Sequence, residues 1–94
     1  MNGKQRAYLK SLANTLNPLL QVGKNGISDS FIKQLDKSLE DHELVKINVL
    51  NNSPDEAKDI IDEILEATGS EFVQQLGKKL TIYRESKENK KIEL

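Results

Sequence analysis

Leu19–Ser28, LLQVGKNGIS, changes character twice in ten residues. Leu19-Leu20-Gln21-Val22 reads as a short strand. Gly23-Lys24-Asn25-Gly26 then places two of the chain's five glycines in one turn. Ser28 is a good N-cap, because its hydroxyl can accept a backbone N–H left unpaired at a helix start. Behind it Phe31, Ile32, Leu35 and Leu39 keep helical spacing, with Asp29 in the first turn where the helix dipole favours negative charge. That helix is expected to end near Asp41-His42. Strand, glycine turn and helix in direct succession make a β-loop-α unit, and whether the flanking segments continue the alternation decides the fold class.

Upstream, Tyr8, Leu9, Leu12, Ala13 and Leu16 mark one stripe of a helix from Lys4 to about Thr15, with Lys4, Arg6, Lys10 and Asn14 largely off it. Asn17-Pro18 ends the element, since the residue before proline is driven out of α geometry. Downstream, Leu44–Leu50 is a β-branched, alternating run that predicts a strand, Val45, Ile47 and Val49 on one face and Lys46 and Asn48 on the other. Ser53-Pro54-Asp55-Glu56 carries a capping serine, a proline at the first helical position and a glutamate at the third, so a third helix is expected from Pro54. Ala57, Ile60, Ile61, Ile64 and Leu65 form its stripe, and Gly69 closes it.

Phe72–Leu76 and Leu80–Arg84 flank Gly77-Lys78-Lys79 as a hairpin. The remaining ESKENKKIEL holds too few apolar residues for a further core element, so a domain is expected over residues 1–85 and a flexible charged tail over 86–94. The expected fold is a single α/β (α+β) domain of order αβαβαββ. Its mixed four-stranded sheet is packed with helices, the first two strands parallel and the final hairpin antiparallel.

With 94 residues, 36% of them hydrophobic, the chain has material for one core. It contains no cysteine and one histidine, His42, so no disulfide, thiolate site, metal or cofactor is expected. Asp41, His42 and Glu43 have no nucleophile spaced for a triad, and the carboxylates of the third helix lie on its solvent side, away from any pocket that would tune a pKa. An enzyme is not expected. MNGKQRAYLK lacks the apolar run of a signal peptide and no segment approaches a membrane span, so a cytoplasmic protein without a membrane partner is expected, and separately a monomer.

The net charge of −1 conceals a division along the chain: residues 1–28 carry +4, residues 29–71 carry −8 and residues 72–94 carry +3. Basic ends around an acidic middle suit an anionic ligand gripped by one side of the domain. Gly23–Gly26 lies where a helix N-terminus offers unpaired N–H groups, with glycines that let a ligand approach the backbone and Lys24 as a mobile cation. The pattern matches neither a Walker loop nor a dinucleotide fingerprint; it is GxxG, the form of the loop that clamps nucleic-acid backbone in KH domains. Strand-to-helix connections also use glycine for conformation alone.

Taken in order, LANTLNPLLQVGKNGIS (Leu12–Ser28), LEDHELVKINV (Leu39–Val49), ATG (Ala67–Gly69) and LGKKLTIYR (Leu76–Arg84) resemble the CRM domain, named for chloroplast RNA splicing and ribosome maturation, in its stand-alone bacterial, YhbY-like form. The resemblance covers nearly the whole chain. It implies a fold similar to the C-terminal domain of translation initiation factor three, RNA binding, and association with precursors of the large ribosomal subunit. The family's GxxG loop corresponds to Gly23, Lys24, Asn25 and Gly26, its basic first helix to Lys4, Arg6 and Lys10, and its closing tyrosine-arginine to Tyr83 and Arg84. Lys78 and Lys79 in the hairpin turn would widen the positive surface. Asp55-Glu56 stands where relatives often carry a basic residue, so the acidic third helix is expected to face solvent or a protein. A rival expectation follows: an adaptor that meets a basic ribosomal protein through its acidic helices, with the glycine loop only a turn.

Overall fold

In the computed structural model, which describes residues 1–94, the chain runs α1 (Gly3–Ala13), β1 (Leu20–Val22), α2 (Asp29–His42), β2 (Leu44–Val49), α3 (Ile61–Thr68), β3 (Glu71–Leu76) and β4 (Lys79–Tyr83). This is the order αβαβαββ read from the sequence. Most element ends have a local cause. Asn2 and Gln5 close a capping box on α1, the Asn2 side chain accepting the Gln5 N–H at 2.8 Å and the Gln5 side chain accepting the Asn2 N–H at 3.0 Å. The Ser28 hydroxyl accepts the Phe31 N–H at 3.1 Å, so β1 passes through its glycine turn into α2 as LLQVGKNGIS predicts. Gly69, at φ 67°, ends α3 in the left-handed conformation.

α3 starts later than the sequence suggests. Ser53 caps no helix, because its hydroxyl accepts the Asp55 N–H at 3.3 Å and donates to the Asp55 carbonyl at 2.8 Å, which folds Ser53–Asp55 into a local turn. A short 3₁₀ turn, Ala57–Asp59, follows, and Ile60 at φ −108° separates it from α3.

The sheet order is β1-β2-β4-β3, with β1 parallel to β2 and the other pairs antiparallel. Alternation assigns its faces. Val45, Ile47, Val49, Leu80 and Ile82 meet Phe31, Leu35 and Leu39 of α2 and Ile64 of α3 in the main core. Fully burying one such side chain stabilises by about 1.5–3 kcal/mol. On the opposite face Leu44, Val73 and Tyr83 lie under Leu9 and Ala13 of α1. Tyr8 and Leu16, expected in that helix stripe, are 48% and 39% exposed. Leu16 lies beyond the helix end, and Tyr8 sits about 100° around the helix from Leu9. A bulge at Val73 changes the β3 register: Phe72 pairs with Ile82, but Gln74 pairs with Thr81. Alternation from Phe72, on the main core, already places Val73 under α1, and the extra residue turns Gln74 to that same side of the sheet.

Residues 86–94 form no helix or strand, and a network of bonds from two carboxylates of the α2 end reaches them. Glu43 accepts the N–H groups of Ser86 at 2.7 Å, Lys91 at 2.6 Å and Ile92 at 2.7 Å. Glu40 accepts those of Lys87 at 3.0 Å and Glu88 at 3.1 Å, together with the Ser86 hydroxyl at 2.7 Å. Ile92 packs against the cluster under α1. Glu43 is fully buried and has a left-handed φ of 66°, which no other residue but glycine shows here. Burial pushes its carboxyl pKa up, but the three N–H donors outweigh this and hold it below the ordinary 4.5. No helix is long and apolar enough to cross a membrane.

Candidate nucleic-acid interface

Three turns meet at one end of the sheet. The register places Val22 beside Val49 and Asn48 beside Lys79, so β1 and β2 end where β4 begins. The first turn, Gly23–Gly26, is closed by the Gly26 N–H on the Gly23 carbonyl at 3.0 Å, with φ 63° at Gly26. It rests on the second turn, after β2, where a Cβ at Gly26 would come within 3.2 Å of Pro54 Cγ. The third, Gly77-Lys78, joins them: the Lys78 carbonyl accepts the Val49 N–H at 2.7 Å, and the Lys78 ammonium donates to Asn51.

The tip of the first turn is chemically open. Lys24 and Asn25 are exposed, and the N–H groups of Gly23, Lys24 and Asn25 have no partner within the protein. Lys24 joins none of the six ion pairs. Gly26 needs to be glycine because of its φ and the nearby proline. Gly23 has no left-handed φ, and a Cβ there would meet nothing closer than Asn52 Oδ1 at 3.7 Å. Neither backbone conformation nor crowding requires glycine at 23. Its effect is to leave the backbone bare.

Of the other expected site residues, Lys78 and Lys79 lie on this rim and are exposed. α1 crosses the sheet face opposite α2 and α3, and Arg6 is anchored beside β3 by its Nε on the Phe72 carbonyl at 3.4 Å. At 3.6 residues per turn Lys4 points about 120° from Lys10 and about 160° from Arg6, so the three do not share one helix face. Arg6 and Lys10 flank the side of α1 toward β3; Lys4 stands apart.

Arg84 is not part of the rim. It follows β4 at the far end of the sheet, where it donates to Asp36 Oδ1 at 2.8 Å, to the Asp36 carbonyl at 3.0 Å and to the Thr68 carbonyl at 2.6 Å. Its guanidinium therefore joins α2 to the last turn of α3, and its planar fork of donors suits three acceptors at once. Arg84→Met is expected to lower stability by about 2 kcal/mol, as loss of charge-assisted hydrogen bonds does. Urea unfolding of the variant would show it. Tyr83 is buried under α1, where burial and the nearby Glu43 carboxylate raise its hydroxyl above the usual 10.0, so it offers no stacking surface. The sequence signal for this inward arrangement was faint, because an arginine after a strand gives no sign of which acceptors the helices bring to it.

The family model for the CRS1 / YhbY (CRM) domain matches residues 1–84. The chain belongs to the CRM domain family. Among CRM relatives, the Bacillus subtilis protein named "Probable RNA-binding protein YqeI" is 43% identical over 94 residues, covering 100% of this chain and 98% of its own. A Haemophilus influenzae protein named "RNA-binding protein" is 34% identical over 90 residues, with 96% and 91% covered. The solution structure of the hypothetical protein SAV1595 from Staphylococcus aureus superposes with a TM-score of 0.82 at 51% identity, over 100% of this chain and 98% of that one. The α+β architecture of three helices and a mixed four-stranded sheet is thus a CRM fold.

Proposed function

We propose that the protein binds structured ribosomal RNA of the assembling large ribosomal subunit and catalyses no reaction. The observation that carries the reading is the loop tip: three consecutive unengaged N–H donors and an unpaired lysine, beside the lysines of the hairpin turn. Such a group suits a phosphate, which needs several convergent donors and positive charge. Asp29 already offsets part of the positive end of α2, so the phosphate belongs on the loop amides and Lys24 rather than on the helix axis. Aromatic residues make up 4% of the chain and Tyr83 is buried, which favours backbone and shape recognition over base stacking. The names of the relatives support RNA as the ligand, and the resemblance to the stand-alone bacterial form supports its ribosomal origin.

Affinity for ribosomal RNA is expected to fall with salt, with a log–log slope of about −2 to −4.5 for a contact of roughly three to five phosphates. Filter binding between 50 and 200 mM salt, the range over which such slopes are resolved at roughly this steepness, checks it. A flat response would overturn the proposal. It would favour the adaptor reading, for which Asp55, Glu56, Asp59, Asp62, Glu63 and Glu66 are all exposed.

A further inference from the structure

α1 covers only part of its sheet face. Beyond its C-terminal end the same face is open, forming a groove of about 470 Å³ between Asn14 and the Gly77-Lys78 turn. The face-sharing residues of β2 and β4 supply Lys46, Asn48, Lys79 and Thr81, and the bulge at Val73 brings in Gln74. No carboxylate lines the groove, although the chain has 15 acidic residues. Of its polar side chains only Lys46, on the Leu16 carbonyl at 3.0 Å, and Lys78, on Asn51, are bonded within the protein. Thr81 is 1% exposed and forms the floor with its hydroxyl free of any such bond.

We infer that this groove holds a single-stranded stretch of RNA running on from the phosphate at the Gly23–Gly26 tip. The inference rests on the RNA-binding reading and extends it to a second surface. Lys78 and Lys79 belong to both, so the rim and the groove are continuous. The lysines complement phosphate. The amides of Asn14, Asn48 and Gln74 and the Thr81 hydroxyl can each donate and accept, which suits ribose hydroxyls and base edges. Three strands span only about 10 Å from the first to the last, which admits one strand and excludes the body of a duplex. The groove lacks aromatic side chains, so it holds the strand with little preference for base identity.

The test is a titration of the full chain with a uridine octanucleotide at low salt, read by anisotropy and by amide NMR shifts. The paired change Asn48→Asp with Gln74→Glu keeps side-chain shape and adds two negative charges; affinity is expected to drop by about tenfold or more, as reversing local potential does. In the wild type the amides of Asn48, Gln74 and Thr81 are expected to shift together with those of Lys24 and Asn25. If the variant binds as the wild type does while Lys24→Glu binds poorly, the groove inference falls and the loop reading stands. The groove inference falls in the same way if the wild type takes ribosomal RNA but ignores the octanucleotide. Failure of the wild type to bind either RNA would overturn both. Thermal unfolding of the variant serves as the check that it is folded.

Discussion

Lys24→Glu is expected to weaken binding to ribosomal RNA by roughly a hundredfold while leaving the unfolding midpoint unchanged. A charge-assisted hydrogen bond contributes about 1.5–3 kcal/mol, and a carboxylate at the same tip adds repulsion to its loss. Nothing in the fold depends on the side chain, since Lys24 is exposed and unpaired. Sucrose-gradient fractionation of cell extract gives the cellular readout: wild type should travel with large-subunit precursors and the variant should stay at the top. Gly23→Ala is a useful companion, because the fold has room for its methyl and any loss of affinity then reports close approach of a ligand to the backbone. If Lys24→Glu comigrates normally and Asp59→Lys with Glu63→Lys does not, the acidic surface is the docking face and the glycine loop is only a turn.

The second large effect lies in the fold. Glu43→Ala is expected to cost about 2–3 kcal/mol, which for a domain of this size lowers the melting temperature by roughly 10–20 °C. Alanine keeps the unfavourable φ of 66° and removes the acceptor for three backbone N–H groups. The loss is limited because the tail can detach and return those groups to water. Detachment is itself measurable as faster tryptic cleavage after Lys87, Lys90 and Lys91. Acid should reproduce the effect in wild type. Glu40 and Glu43 have folded pKa values below the ordinary 4.5, Glu40 chiefly through the Lys87 N–H and the Ser86 hydroxyl. Their contribution is therefore complete above the unfolded value and is lost as pH falls below about 4.5 through the folded values. Thermal melts at pH 6 and below about pH 4, either side of the carboxylate range, would show wild type converging on the variant, whose own loss with acid is smaller.

What the sequence made legible and what it concealed divide along physical lines. α2 and β2 were readable because cap, stripe and alternation all act within a few residues, and Ser28, Phe31, Leu35, Val45 and Ile47 occupy their expected places. The same local logic found the hairpin turn and the open loop tip. It failed where a polar residue is satisfied from far along the chain. Arg84 read as an RNA contact and nothing marked Glu43 as a buried acceptor, yet both are held by partners more than a dozen residues away. Ser53 misled for the opposite reason, as its hydroxyl was claimed by the adjacent backbone before a helix could form. The bulge leaves no mark in FVQQL, where either glutamine could face either side, yet it decides that Gln74 and not Gln75 joins the groove.

The strand order β1-β2-β4-β3 leaves β2 and β4 each flanked on both sides, with main core on one face. Their amides should be among the last to exchange with deuterated solvent, whereas the unengaged amides of residues 23–25 should be among the first. Side chains projecting from β2 and β4 thus stand on backbone locked into the ladder, and the turn beside them, closed by its own Gly26–Gly23 bond, leaves its tip amides open to solvent. A ligand touching both would meet a fixed ruler with bare donors at its end, and the protein's share of the entropy lost on association would fall on exposed side chains such as Lys24 rather than on the backbone.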